Sequence, residues 1–223
     1  MVSEESPSVK QKLQSILKQK RWRPIAQVVL IAMLSLFAVL GLNRIDIMQP
    51  ATANPAYQVA RGSAWQNASF PVENFQEYTS PFGYRRSPTG GYTEEFHSGL
   101  DIAAPMGSYV RNWWAGTVVE VIDDGRCGTG LVISSGNWDH IYCHMDGSVE
   151  TSNGVPYLID RSGGIFIGEG QQIPAGARIG RVGMTGRTTG PHLHWGLKYA
   201  GQWYDPALVI RQMYQDQQIS RQP

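Results

Sequence analysis

Apolar positions along this chain follow two regimes. Residues 25–42 are almost wholly apolar, with no charge and one amide, Gln27, which just reaches the run of about 18 needed to cross a bilayer. After Asn54 the pattern changes to short β-branched segments separated by glycine, at residues 116–122, 130–134, 140–144 and 177–182. These are strand signals with turn punctuation. Helical periodicity is nearly absent there, apart from residues 206–215. The pattern therefore predicts a mainly β domain, an antiparallel β-sheet with a site in a groove over it and loops as walls, preceded by an N-terminal apolar helix.

Charge sharpens the division. Residues 1–24 carry Lys10, Lys12, Lys18, Lys20, Arg21 and Arg23 against Glu4 and Glu5, a basic cytoplasmic flank, so the chain beyond the apolar run is expected to be exported. Residues 25–42 read either as a transmembrane helix or as a signal-peptide h-region. Ala51-Thr52-Ala53 resembles a small-residue cleavage site, after which a mature chain would begin at Asn54. An uncleaved segment would tether the protein to the inner membrane; cleavage after Ala53 would release it into the periplasm. Residues 43–74 are expected to be a linker, 75–210 one domain of ordinary size, and 211–223 a C-terminal tail. Residues 54–223 hold 12 Lys plus Arg against 15 Asp plus Glu. An exported domain without a basic stripe is a poor nucleic-acid binder, and nucleic acid is set aside as a partner.

The chemistry concentrates in histidine. Four of the five histidines lie in His97-Ser98-Gly99-Leu100-Asp101, at His144, and in His192-Leu193-His194. Two nitrogen donors and one carboxylate leave a fourth position open on tetrahedral zinc, where water becomes a nucleophile near neutral pH, so a hydrolase is the first hypothesis. Side chains two apart on a strand share a face about 6.6 Å apart. His192 and His194 can thus point into one cavity while Leu193 and Trp195 point into the core, and both need not be ligands. His97 and Asp101 would stand about 13 Å apart on a flat strand, too far to share one ion. The segment must bend, and Gly99 is placed to allow it. Either motif alone recurs by chance; together, each in a Gly-rich context, they are a stronger signal. His140 reads as a structural or surface residue.

Four ordered blocks between Phe75 and Leu208 carry a family resemblance: Ser80-Pro81-Phe82-Gly83-Tyr84-Arg85, His97 through Gly107, Tyr142-Cys143-His144-Met145, and Gly183-Met184-Thr185-Gly186 through Gly190-Pro191-His192-Leu193-His194. In these the chain resembles the lysostaphin-type (LytM-type) zinc metallopeptidases, which cut peptide bonds in peptidoglycan. The resemblance implies the antiparallel duplicated-hybrid-motif fold, Zn2+ held by His97, Asp101 and His194, and His144 and His192 lining the site as catalytic groups rather than permanent ligands. It further implies that a metal-activated water attacks the scissile carbonyl, with the two free histidines serving as base, proton donor or oxyanion stabiliser. Arg85 is a candidate to orient substrate or brace the cleft, and reads equally well as an exposed surface arginine. Cys143 after the central tyrosine, and Trp195-Gly196 where relatives often carry an aromatic residue and an acid, are small departures.

Cys127 and Cys143 fall in the exported part, where an oxidising compartment permits a disulfide. Strand alternation would place the Cys143 sulfur on the face opposite the His144 imidazole. The leading function is an exported zinc metallo-endopeptidase of peptidoglycan cross-links or stem peptides. The alternatives are a peptidoglycan-binding activator of a separate cell-wall amidase and a peptidase acting on envelope proteins; the oligomeric state stays open.

Overall fold

The computed structural model describes residues 65–87, 90 and 92–221. The basic flank, the apolar run 25–42, the Ala51-Thr52-Ala53 sequence and linker residues 43–64 lie outside the described residues.

In chain order, β1 (Glu77–Ser80) is followed by a hairpin of β2 (Gly83–Arg86) and β3 (Glu94–His97) that stands apart from the main sheet, and β4 (Gly99–Ala103) then returns to pair with β1. After β5 (Tyr109–Arg111), β6 (Gly116–Asp124), β7 (Gly128–Ser135) and β8 (Trp138–Met145) form a meander. A three-stranded sheet of β9 (Ser148–Ser152), β10 (Val155–Asp160) and β11 (Ile165–Gly168) follows, and β12 (Gln172–Ile173) pairs on β6. β13 (Arg178–Arg181) pairs with β5. β14 (His192–Tyr199) inserts between β4 and β8, β15 (Gln202–Tyr204) pairs with its end, and α1 (Pro206–Ser220) closes the domain. The main sheet runs β1-β4-β14-β8-β7-β6-β12 with antiparallel neighbours, the mainly β architecture the glycine-punctuated segments predict.

Period-two alternation sorts the central strands into two faces. Leu193, Trp195 and Leu197 of β14, Ile102 of β4 and Tyr142 of β8 are fully buried on the core face. There Trp113 sits at the centre of an edge-to-face cluster, its ring centroid 5.2 Å from Trp65 and 5.7 Å from both Trp138 and Trp195. Such pairs contribute beyond their area burial and fix ring orientation. α1 starts cleanly, with Asp205 accepting from the Ala207 N–H at 2.9 Å and Pro206 in its first turn. It buries Val209, Ile210 and Met213.

The domain extends beyond both expected boundaries. Trp65, Ala68 and Val72, assigned to the linker, are buried. Their segment is strapped to α1 by Trp65 N–H to Asp216 Oδ2 at 3.1 Å and Gln217 Nε2 to the Ala68 carbonyl at 2.8 Å. Residues 211–220, assigned to a tail, belong to α1, with Gln212 and Met213 buried. The linker portion has no periodicity because its apolar residues are buried one at a time by tertiary contact.

His140 proves structural and is fully buried. Ser135 Oγ donates to the Ala115 carbonyl at 2.8 Å, so it accepts from His140 Nε2–H, also at 2.8 Å. His140 Nδ1 is then the acceptor for the Tyr142 hydroxyl at 2.9 Å, which itself accepts from the Trp113 backbone N–H at 2.9 Å. Burial pushes the His140 imidazole down to about 3, against 6.5 for a free histidine. Above pH 6.5 it is neutral folded or unfolded. As pH falls, the unfolded chain takes up a proton that the folded protein refuses, and stability declines by about 1.4 kcal/mol per pH unit until about pH 3. Between pH 7 and pH 5, His140→Gln should therefore lose about 2 kcal/mol less stability than the wild type in denaturant titrations. An identical loss in both proteins would show that this group does not carry the dependence.

Candidate metal centre

The insertion of β14 between β4 and β8 creates the site. Register pairs His194 with Asp101 on one side and with Cys143 on the other, so residues 93 apart in sequence meet across one ladder. His97 arrives from the neighbouring hairpin, whose last residue it is. The chain passes from the hairpin to the sheet at Ser98, between the end of β3 at His97 and the start of β4 at Gly99. Gly99 is needed for a close approach that the expectation of a bend does not include. Its φ is not in the left-handed region, but a Cβ there would come within 2.7 Å of His194 Cε1 and Nε2 and of the Trp195 carbonyl oxygen. Glycine lets the His194 ring lie directly on the β4 backbone.

Three donor atoms converge. His97 Nε2 lies 3.0 Å from Asp101 Oδ1 and 3.0 Å from His194 Nδ1, and His194 Nδ1 lies 2.9 Å from Asp101 Oδ1. A triangle of that size allows one ion to sit about 2 Å from each corner with an open side, as a three-ligand site needs. Among the described residues this is the cluster whose donor atoms can hold a metal ion. The tautomers agree. His97 Nδ1–H donates to the Pro81 carbonyl at 2.7 Å, which leaves the Nε2 lone pair facing inward, the outer contact a metal-binding histidine commonly makes. Burial pushes His194 below the usual histidine range, against the pull of Asp101, and so favours the neutral, ligating form. Burial pushes the Asp101 carboxyl upward, but hydrogen bonds and charge from His194 and His97 outweigh it and hold the group well below the usual carboxylate range.

Arg85 acts on this carboxylate. Its Nη1 contacts Asp101 Oδ2 at 3.2 Å and also donates to Ser80 Oγ, while Nη2 lies 3.5 Å from Glu95. One carboxylate oxygen is thereby held by the guanidinium, and the other is free to face the histidines. Arg85 is thus not an exposed surface arginine; its side chain is 20% exposed and its guanidinium contacts Asp101, Ser80 and Glu95.

His144 and His192 flank the triad, with ring centroids 4.8 Å apart. His192 follows from strand alternation beside His194. Its Nδ1–H donates to the Gly190 carbonyl at 2.8 Å, and its Nε2 stands 3.6 Å from Asp101 Oδ1. His144 departs from alternation. Leu131 pairs with Tyr142 and Thr129 with Met145, so Gly130 alone opposes both Cys143 and His144. This β-bulge carries His144 at φ +62°, a conformation uncommon outside glycine and found where surrounding structure enforces it. The backbone is secured by His144 N–H to the Cys127 carbonyl at 2.8 Å and Gly183 N–H to the His144 carbonyl at 2.9 Å. The ring is aimed by Nδ1–H to the Thr185 carbonyl at 2.9 Å. Burial pushes this imidazole down to about 4, partly offset by that carbonyl, so it is neutral at pH 7 with Nε2 as an acceptor.

Cys127 and Cys143 form the expected disulfide. The expectation that the sulfur and the His144 imidazole would lie on opposite faces is corrected by the bulge, because the extra residue rotates His144 onto the side of Cys143. Both cysteines and His144 line the same groove, of about 560 Å³, together with His97, Asp101, His192 and His194. Sequence reasoning passed over Glu95, the hydroxyl of Thr185 and the carbonyls of Pro81 and Thr185. Backbone acceptors have no side-chain signature, although each lies within a block that the family resemblance marks.

This arrangement, a carboxylate and two imidazoles around one open position with two further imidazoles beside it, defines a metallopeptidase-type centre. The family model for peptidase family M23 matches residues 95–206, half of the chain. The chain belongs to that family. It is 32% identical over 136 residues to the DD-carboxypeptidase/endopeptidase Mpg of Neisseria meningitidis, covering 60% of this chain and 27% of that protein. It is 31% identical over 149 residues to the peptidoglycan DD-endopeptidase ShyA of Vibrio cholerae, covering 66% and 31%. The chain therefore spans about a quarter to a third of the length of these relatives. A crystal structure of a zinc-containing peptidase from Vibrio cholerae is 28% identical, with a TM-score of 0.48 over 63% of this chain and 38% of that one.

The contact at Gly99 yields a direct test. Gly99→Ala should push the His194 ring off the β4 backbone and lower metal affinity at least tenfold, as judged by competition with a chromogenic chelator, with a loss of about 1–3 kcal/mol in stability from overpacking. Unchanged affinity would mean that the ring does not depend on this contact.

Proposed function

We propose that this chain is an exported zinc metallo-endopeptidase that hydrolyses peptide bonds in peptidoglycan, with His97, Asp101 and His194 as metal ligands and His144 and His192 as catalytic groups. The observation that carries the reading is the convergence of three donor atoms within 3.0 Å of one another, with two more imidazoles in the same groove. Histidine and carboxylate donors around an open position suit zinc. The relatives' names, DD-endopeptidase and DD-carboxypeptidase/endopeptidase, direct the reading to D,D peptide bonds. The cell envelope is the proposed location, with residues 25–42 anchoring the chain in the inner membrane or removed after Ala53. A complete donor set favours this reading over a binding-only activator, which would need no ligands.

Zinc, when bound, supplies a Lewis acid that polarises the scissile carbonyl and makes water acidic enough to attack near neutral pH. The chain's own residues do the rest. His97 presents an inward Nε2 lone pair in the tautomer fixed by the Pro81 carbonyl, and burial keeps His194 neutral with Nδ1 turned toward Asp101. Asp101 adds the negative charge, with Arg85 holding its outer oxygen. His144 and His192 both anchor Nδ1–H on a carbonyl and keep Nε2 free. One Nε2 accepts the proton of the attacking water, and the other, when protonated, donates to the developing oxyanion or to the departing amine. Preorganisation by backbone carbonyls spares the site from reorienting these rings during turnover.

His97→Ala and His194→Ala should lose both bound zinc and release of muropeptides from isolated cell walls. His144→Ala and His192→Ala should keep zinc and lose turnover by roughly 10²–10⁴-fold, the usual worth of a general acid or base. Metal analysis with chromatography of the released fragments reads both. Undiminished cleavage by His194→Ala would overturn the assignment, and stoichiometric zinc without any cleavage by the wild type would transfer the proposal to a regulatory role.

A further inference from the structure

Past the metal centre the groove continues into a second stretch lined by Glu95, Phe96, Arg126, Arg187 and Trp203, four of which also line the metal-site groove. The two arginines are held side by side by their backbones. Arg187 N–H donates to the Arg126 carbonyl at 3.0 Å. Arg126 N–H donates to Asp124 Oδ1 at 2.7 Å, and the adjacent Cys127 is locked by its disulfide. The two backbones are packed so closely that a Cβ on Gly186 would lie 2.4 Å from Gly128 N.

Their side chains remain largely unused. Arg187 gives one contact, Nη2 to Glu95 Oε2 at 2.9 Å, and its side chain is 40% exposed. The exposed Arg126 guanidinium makes no hydrogen bond or ion pair among the described residues, and its charge acts on Glu95 at longer range. A guanidinium offers five N–H donors in a fixed fork. Trp203, 41% exposed, adds an apolar surface beside them, and the Lys198 ammonium stands 4.6 Å over its ring. The acidic groups beside the two arginines are Glu95, paired with Arg187, and Asp124, whose Oδ1 already accepts from the Arg126 and Cys127 N–H groups.

We propose that this stretch is a subsite for a free carboxylate of the substrate peptide, gripped by Arg126 with Arg187, while the adjoining aliphatic part lies on Trp203. The assignment rests on the peptidoglycan reading, since stem peptides carry free carboxylates away from the bond that is cut. A carboxylate matches the guanidinium fork in shape and charge. Backbones already fixed in place reduce the ordering cost of binding. The subsite makes the enzyme selective for stem peptides whose non-scissile carboxylates are free rather than amidated.

The test uses an uncleavable stem-peptide dimer, prepared with free or with amidated non-scissile carboxylates, titrated calorimetrically into the full chain. The wild type should bind the free form about tenfold more tightly, the low end for a charge-assisted hydrogen bond at a partly exposed site. Arg126→Ala should weaken binding of the free form and remove most of that preference, and Arg126→Lys should restore part of it. Equal affinity for both forms, binding of neither, or a preference untouched by Arg126→Ala would overturn the subsite. Cleavage of the natural dimers, followed in parallel, judges the endopeptidase reading separately. Preference without cleavage refutes that reading and keeps the subsite; cleavage without preference does the reverse.

Discussion

Asp101 is the fixed point of this structure. Its Oδ1 lies within 3.0 Å of ring nitrogens from two strands that are not neighbours in sequence, and an ionised carboxylate under a sheet is costly unless every lone pair has a partner. The fold meets that demand from all sides. β14 delivers His194 across the ladder, the β2–β3 hairpin delivers His97 from a separate layer, and Arg85 closes the remaining oxygen. Moving any of these by an ångström would leave a buried charge without a partner, so the positions of the hairpin, β4 and β14 are tied to one another through this one group.

Holding those positions requires a stiff support and local breaks in regularity. The support is the tryptophan cluster beneath β14, in which Trp195 packs on Trp113 directly behind the His194 backbone. Truncating such a ring typically costs about 3–5 kcal/mol. The breaks occur where the histidine and carboxylate cluster touches the sheet, at Gly99 under the His194 ring and at the bulge opposite Gly130. A Cβ on Gly130 would come 2.5 Å from the Tyr142 carbonyl and 2.7 Å from Cys127 Sγ. The strained backbone at His144 persists because the disulfide, the Cys127 carbonyl and the Gly183 N–H hold it together. Bridging a separation of 16 residues restricts the unfolded chain by about 3 kcal/mol, comparable to the cost of one strained residue of this kind.

The sheet was legible in the sequence because glycine-bounded, β-branched runs have few alternatives, and β6, β7, β8 and β13 all fall on segments read that way. His192 and His194 followed from period two alone. What the pattern could not show is where periodicity is broken on purpose. A bulge adds one residue without changing composition, so the alternation rule placed Cys143 and His144 on opposite faces when they share one. Gly99 stands out in the sequence as a point where the chain can bend, but the close approach of the His194 ring has no sequence signature, since a glycine required by a neighbouring ring looks the same as one required by a turn. Trp65 was hidden for the opposite reason. It lies in a stretch without periodicity, and only the assembled cluster of Trp113 and Trp138 gives it a place in the core.

The same geometry separates chemistry from recognition along the groove. Arg85 is the arginine that sequence alone would choose for contacting substrate, but its guanidinium already serves Asp101, Ser80 and Glu95. Diverting it to a bound molecule would release the second carboxylate oxygen of Asp101 and loosen the triad. In the proposed function, recognition draws on side chains whose loss leaves the triad intact, and those lie on the β6–β7 turn and on the loop before β14. Both segments are pinned at the backbone near the site, by the disulfide and by the Thr185 contacts, yet their side chains project into the open groove. Sequence change there can alter what binds without moving a ligand, while change at Ser80, Arg85 or Asp101 cannot.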